Sequence, residues 1–243
     1  PGVADLDLVQ SLAISPDGSL LASGGFRTIK LWQRPRNVNA PAFGGAKLPG
    51  KPTLAVASPD GKLMALAVGN DVQLADASTN KLAAKLAGHK SPVAAVAFSA
   101  DGAKVATTSA DKTLKVWTVA DGKQLASIEL PAEGTAVAVT ASGTEVVVGA
   151  ADGKLRSFDL PKEKLADDAE VKPKAEWASS GKTVTALAAV PNQPTQVVVG
   201  DNGGNIVVWN TADVKKSVKT MQRTGNEPRA LAVRPDGTRI AAI

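Results

Sequence analysis

The chain has 243 residues, 44% hydrophobic and only 3% aromatic, which allows one large or two small packed domains and excludes a disordered tail. It has no cysteine, so disulfides, thiolate nucleophiles and zinc–thiolate sites are excluded. Its 28 Lys and Arg against 23 Asp and Glu leave a formal net charge of +5, spread without the basic clusters and stacking aromatics of a nucleic-acid binder.

In chain order, a short apolar run followed by a turn recurs as "SLAISPDG" (11–18), "LAVASPDG" (54–61), "VAFSADG" (96–102), "VAVTASG" (137–143), "LAAVPNQP" (187–194) and "LAVRPDG" (231–237). The turns at Gly18, Gly61, Gly102, Gly143, Pro194 and Gly237 are separated by 43, 41, 41, 51 and 43 residues. A fixed period of that length is the mark of a repeat architecture. Aspartate caps the backbone of such a turn and glycine accepts its positive φ.

Each repeat reads as strands. Nearly all-apolar first strands, starting near 9, 53, 93, 135, 184 and 229, suit coverage on both faces. Second strands follow, such as "AKVATTSA" and "TEVVVGAA", then third strands "TIKLW" (28–32), "DVQLA" (71–75), "TLKVW" (113–117), "KLRSF" (154–158) and "NIVVW" (205–209). The third strands alternate polar and apolar, which predicts one buried and one partly exposed face. A more polar fourth strand, such as "KQLASIEL", closes the unit at an outer edge. Four short antiparallel strands per repeat describe a propeller blade, and helical repeats are excluded by frequent Gly and Pro. The expected fold is an all-β propeller of four-stranded antiparallel blades, five whole and half of a sixth, filling residues 1–243.

With third strands ending at Trp32, Trp117 and Trp209, and one Gly88-His89 dipeptide, the chain resembles the WD-repeat β-propeller family over essentially its whole length. Its degenerate, Ala-, Val- and Lys-rich repeats resemble bacterial members. The third repeat carries the pattern best, and there the resemblance implies a buried tetrad of His89, Ser109, Asp111 and Trp117. In it Trp117 donates to a hydroxyl at Ser109 or Thr108, that hydroxyl bonds His89, and His89 bonds Asp111. Elsewhere the pattern thins: third strands end at Ala75 and Phe158, and Asp152 alone repeats the place of Asp111. The resemblance implies seven blades. The chain opens on Pro1 and stops inside the apolar run "GTRIAAI", so it is expected to be part of a longer protein that carries any targeting signal, and a further fused domain, outside these residues. The compartment is left open.

The resemblance also implies a partner-binding face, built from the loops entering the first strands and the turns between second and third strands. Here it would present Arg27, Lys51, Lys90, Lys112, Lys182, Arg223 and Arg229, a set suited to an acidic protein or peptide. The function expected is a non-enzymatic interaction scaffold without metal, cofactor, nucleic acid or membrane span. The alternative is a propeller enzyme of lactonase or quinoprotein type, with a metal or cofactor at the channel mouth. Against it, the first strands carry no carboxylate, His or Asn. The single histidine already has a structural place, and His-based metal sites need more ligands. Asp201, Asn202 and Asn205 crowd a turn that reads as a hairpin before a Ca²⁺ loop. "SGKT" at 180–183 lacks the first glycine of a phosphate loop and leads into a strand. Asp167 and Asp168 fall in a Lys-, Asp- and Glu-rich excursion that absorbs the extra length of the 51-residue step.

Overall fold

The computed structural model describes residues 11–14, 20–24 and 29–33 as strands, and residues 52–79, 81–166, 169–221 and 227–242 in full. Among these the chain is all-β. The first sheet holds β1 (Ser11–Ile14), β2 (Leu20–Gly24) and β3 (Ile29–Gln33). The second holds β4 (Leu54–Ala57), β5 (Leu63–Val68), β6 (Asp71–Asp76) and β7 (Leu82–Leu86). The third holds β8 (Val93–Phe98), β9 (Lys104–Ser109), β10 (Thr113–Thr118) and β11 (Gln124–Glu129). The fourth holds β12 (Gly134–Val139), β13 (Glu145–Ala150), β14 (Lys154–Asp159) and β15 (Ala175–Ala178). The fifth holds β16 (Val184–Ala189), β17 (Gln196–Asp201), β18 (Ile206–Asn210) and β19 (Lys219–Thr220), and β20 (Leu231–Val233) pairs with β21 (Ile240–Ala242). Four sheets are thus four-stranded antiparallel meanders with the form of WD-repeat blades. A fourth strand for the first sheet would lie outside the described residues.

The turns between first and second strands work as their residues predict. Ser58 Oγ donates to Asp60 Oδ1 at 2.7 Å and accepts the Leu63 amide at 2.9 Å, closing the turn around Gly61 at φ +69°. Ser99 and Asp101 repeat the arrangement at 2.5 Å, around Gly102 at the same φ.

First strands pack side by side, β4 on β8, β8 on β12, β12 on β16 and β16 on β20, so the sheets stack face to face. Three of the seams pair a glycine with a larger residue. Thr108 of β9 sits against Gly134 of β12, Gly149 of β13 against Val184 of β16, and Gly200 of β17 against Pro228. A Cβ on Gly200 would lie 2.7 Å from Pro228 Cγ, and Cβ atoms on Gly134 and Gly149 would overlap Thr108 Oγ1 and Val184 Cγ1 outright.

This stacking corrects the expectation about third strands and limits the one about first strands. The third strands have no partly exposed face: the four central residues of β6, β10 and β14 are all buried. Their polar residues Gln73, Lys115 and Arg156 are buried as well, because a neighbouring sheet covers each face. Among the first strands β12 is buried at every residue except Thr135, as expected of coverage on both faces, whereas β4, β8 and β16 each keep half-exposed residues. In β8 Val93, Val96 and Phe98 are buried while Ala94, Ala95 and Ala97 are half-exposed.

Candidate functional site

A cluster of polar side chains joins the loop entering β8 to the turn between β9 and β10. Register puts Trp117 opposite Val105 and Lys115 opposite Thr107, so Val105, Thr107, Ser109, Thr113, Lys115 and Trp117 share one face. The indole reaches one diagonal step and Nε1 donates to Thr107 Oγ1 at 2.9 Å. The Asp111 carboxylate on the other ring nitrogen can only accept, which leaves His89 Nε2 to accept the Thr107 hydroxyl proton from 2.8 Å away. His89 then carries its proton on Nδ1, directed at Asp111 Oδ2 at 3.0 Å. Asp111 Oδ2 also takes the Lys90 amide at 2.8 Å, while Oδ1 takes the Thr113 hydroxyl at 2.7 Å and amide at 3.0 Å. The result is a one-way donor chain, Trp117 to Thr107 to His89 to Asp111, that latches the loop onto the turn.

The structure thus brings together His89, Asp111 and Trp117 but replaces the expected hydroxyl. Ser109 lies four residues along β9 from the position facing Trp117, about 13 Å at strand rise, and cannot meet the indole. It caps the strand end instead, donating to Ser91 O at 2.9 Å and accepting the Asp111 amide at 3.1 Å. Thr108 points to the opposite face, into the seam beside Gly134, and its buried hydroxyl has no hydrogen-bond partner. Counting diagonals from Trp117 in the period-two pattern identifies Thr107 from sequence.

Burial, partly offset by Asp111, lowers the His89 pKa below its usual 6.5. Burial pushes the Asp111 carboxyl up, but the Thr113 hydroxyl, Lys90 amide and His89 outweigh it and hold it at about 2. The unfolded chain therefore binds more protons than the folded one just below pH 6.5, and stability falls as acid is added. Because His89 is the only histidine, urea midpoints taken between about pH 7.5 and about pH 5.5 should decline, and His89→Gln should flatten that decline. The Asp111 contribution is lost only lower, as pH falls from 3.8 toward about 2. A slope unchanged by His89→Gln would contradict the buried neutral imidazole.

The other sheets solve the same latch problem with different groups. In the fourth, Arg156 stands where Lys115 stands in the third, its side chain 3% exposed, and bonds Asp152 Oδ2 at 2.7 Å and Glu176 Oε2 at 2.7 Å. In the fifth, Trp209 Nε1 donates to Ser179 Oγ at 3.2 Å, and Ser180 donates to buried Asp201. Asp201 further accepts the Gly203 amide at 2.8 Å and the Asn205 side chain at 2.9 Å. Both Asp201 oxygens are thus occupied by donors of their own hairpin, the arrangement of a turn. None of these substitutes for the latch carries a histidine, so the sequence pattern alone did not mark them. Among the described residues no group of three His, Cys, Asp or Glu side chains is placed to hold a metal ion. No helix among them is long and apolar enough to cross a membrane.

Loops and turns on this side interlock across neighbouring sheets: the Val93 amide bonds Gly69 O at 2.9 Å and the Thr183 hydroxyl bonds Ala151 O at 3.1 Å. Within sheets, the Ala151 amide bonds Glu133 O and the Asn202 amide bonds Thr183 O, both at 2.9 Å. The surface so formed exposes Lys90, Lys112, Lys182 and Arg229, none of which has an ion-pair partner among the described residues. Exposed Glu133 and Glu227 interrupt it, and Asp152 is neutralised by Arg156. Arg27, Lys51 and Arg223 lie outside the described residues, as do Asp167 and Asp168.

Stacked antiparallel meanders joined by a latched rim define an all-β repeat protein. The WD domain, G-beta repeat family matches residues 5–33 and 80–118, which span the first sheet and the latch of the third. Over these two stretches the chain is similar to WD repeats. It is similar to target of rapamycin complex subunit wat1 of Schizosaccharomyces pombe, 26% identical over 192 residues, covering 78% of this chain and 58% of that protein. It is similar also to autophagy-related protein 16 of Arabidopsis thaliana, 24% identical over 231 residues, or 93% of this chain and 43% of that protein. A shorter match is to periodic tryptophan protein 2 of Saccharomyces cerevisiae, 29% identical over 91 residues, 37% of this chain and 10% of that protein. The chain therefore spans less than two thirds of each relative. All three are eukaryotic, where the repeat composition resembled bacterial members.

Proposed function

We propose that residues 1–243 form part of one WD-repeat propeller acting as a non-enzymatic scaffold, which binds an acidic protein or peptide on the interlocked loop face. The observation that carries this reading is Lys112. Its φ is +61°, a conformation the fourth and fifth sheets assign to Gly153 and Gly204 at the same turn position. Holding a side chain there costs about 1–2 kcal/mol relative to glycine. The lysine is exposed and unpaired beside the latch, and Lys90, whose amide is fixed by Asp111, stands next to it. The backbone under both cations is preorganised, which lowers the ordering cost of binding. One relative, wat1, is named as the subunit of a complex, which is in keeping with a scaffold.

The test is recovery of partners from a lysate by the chain and by a Lys90→Glu, Lys112→Glu, Lys182→Glu variant. Loss of partners that the unaltered chain retains, weakened at high salt, is the expected outcome. Unchanged recovery overturns the cationic-face reading. Tight Ca²⁺ binding with a raised melting temperature would instead favour the propeller-enzyme alternative.

A further inference from the structure

The outer edge of the fifth sheet differs from the other outer edges in a way the latch does not explain. Elsewhere most charges at that edge are matched inside the sheet, Lys81 beside β7 and Glu129 of β11 excepted. Lys85 of β7 pairs with Asp71 at 2.8 Å, Lys123 beside β11 with Asp121 at 2.9 Å, and Glu176 of β15 with Lys154 at 2.6 Å and Arg156 at 2.7 Å. At the fifth, Lys215, Lys216 and Lys219 are exposed without an ion-pair partner among the described residues. Asp213, the nearest carboxylate in sequence, bonds the Lys215 amide at 3.2 Å. Between the lysines Val218 is 52% exposed, one of two large hydrophobic side chains so placed among the described residues.

The third strand of this sheet differs from those of the third and fourth sheets as well. Lys115 reaches from the third strand to Ser127 of β11 at 2.7 Å, and Arg156 reaches Glu176 of β15. Val207 occupies that position in β18, opposite Thr220, and has no polar group to tether the outer strand. The outer strand β19 spans two residues, against four to six in β7, β11 and β15. Among the described residues it pairs with β18 alone, and like β7, β11 and β15 it lies at the edge of its sheet.

We infer that this edge is a docking site for an acidic, extended peptide segment of a partner protein, which adds as a strand beside β19. Its carboxylates would meet Lys215, Lys216 and Lys219, and an apolar side chain would cover Val218. Lysines at a sheet edge repel neutral and basic strands and so guard against aggregation, and the same charges select an acidic strand. An open edge presents main-chain donors and acceptors that an extended backbone matches and a duplex or a bilayer does not. This site is separate from the loop face.

The probe is a fluorescein-labelled peptide of alternating Glu and Val, followed by anisotropy against the full chain. K215E/K216E/K219E should weaken binding about tenfold or more, and the charge-neutral K215Q/K216Q/K219Q by less. K62E/K81E/K162E, with the same net charge on other exposed lysines, should stay within about twofold. Raising salt from about 0.1 M to about 1 M shortens the Debye length from about 10 Å to about 3 Å and should weaken the wild-type complex. A peptide N-methylated at alternate residues keeps its charge but cannot pair, and should lose most of its affinity. Equal loss in the K62E/K81E/K162E control, or undiminished binding of the N-methylated peptide, overturns strand docking. So does lysine-dependent binding of duplex DNA or phosphatidylserine vesicles with none of the peptide. Peptide binding that K90E/K112E/K182E weakens and K215E/K216E/K219E does not would place the acidic segment on the loop face and overturn this proposal alone, so failure here is distinguishable from failure of the loop-face reading.

Discussion

Thr107→Val should destabilise the chain at least as much as His89→Ala, for which roughly 1–3 kcal/mol is expected. Removing the Thr107 hydroxyl strands two buried groups, the Trp117 indole N–H and His89 Nε2, both of which end on that one oxygen. His89→Ala strands the hydroxyl and one face of Asp111. Chemical denaturation of single and double variants separates this arrangement from the one the repeat pattern implied. Trp117→Phe and Thr107→Val, which remove two ends of one hydrogen bond, should couple by roughly 0.5–3 kcal/mol. Trp117→Phe and Ser109→Ala should be additive to about 0.5 kcal/mol, since Ser109 bonds only backbone groups. Thr108→Val, which deletes an unpartnered buried hydroxyl, should be neutral or stabilising. Stronger coupling of Trp117 to Ser109 than to Thr107 would refute the donor chain.

The second large effect is at a seam. Gly134→Ala places a methyl group on the Thr108 side chain across the interface between the third and fourth sheets, with Leu130 Cδ1 3.2 Å away on another side. Overpacking in a close-packed interior costs about 1–3 kcal/mol, and Gly134 should lie at the upper end because the obstacle is a short side chain rooted in a buried strand. Thr108→Gly removes the obstructing atoms, so the double variant should melt higher than Gly134→Ala alone, despite the strand glycine it adds. If Gly134→Ala melts with the wild type, the small-against-large rule for these seams is wrong.

Lys115 illustrates how far the sequence could be read. Its alternation with Leu114 and Val116 locates a strand and its two faces, because side chains of a strand alternate whatever surrounds them. Whether the polar face meets water depends on the next sheet, and here that face is covered, so Lys115 finds Ser127 and Gln124 in place of solvent. Burial lowers its pKa accordingly. Arg156 was invisible as a latch residue for the same reason: its partners Asp152 and Glu176 are 4 and 20 residues away, and only strand pairing brings the second one near.

The sequence by itself determined the repeat period, the strand order within each repeat, the Ser-x-Asp-Gly turns and the identity of the best-preserved repeat. These follow from local rules: side-chain alternation, turn stereochemistry and the donor and acceptor inventory of His, Asp and Trp. The tertiary structure decided which hydroxyl completes the latch, which polar side chains are buried, and which lysines are left without partners. Those outcomes depend on diagonal reach across a paired strand and on the sheet stacked above, neither of which is encoded in the spacing of residues along one strand.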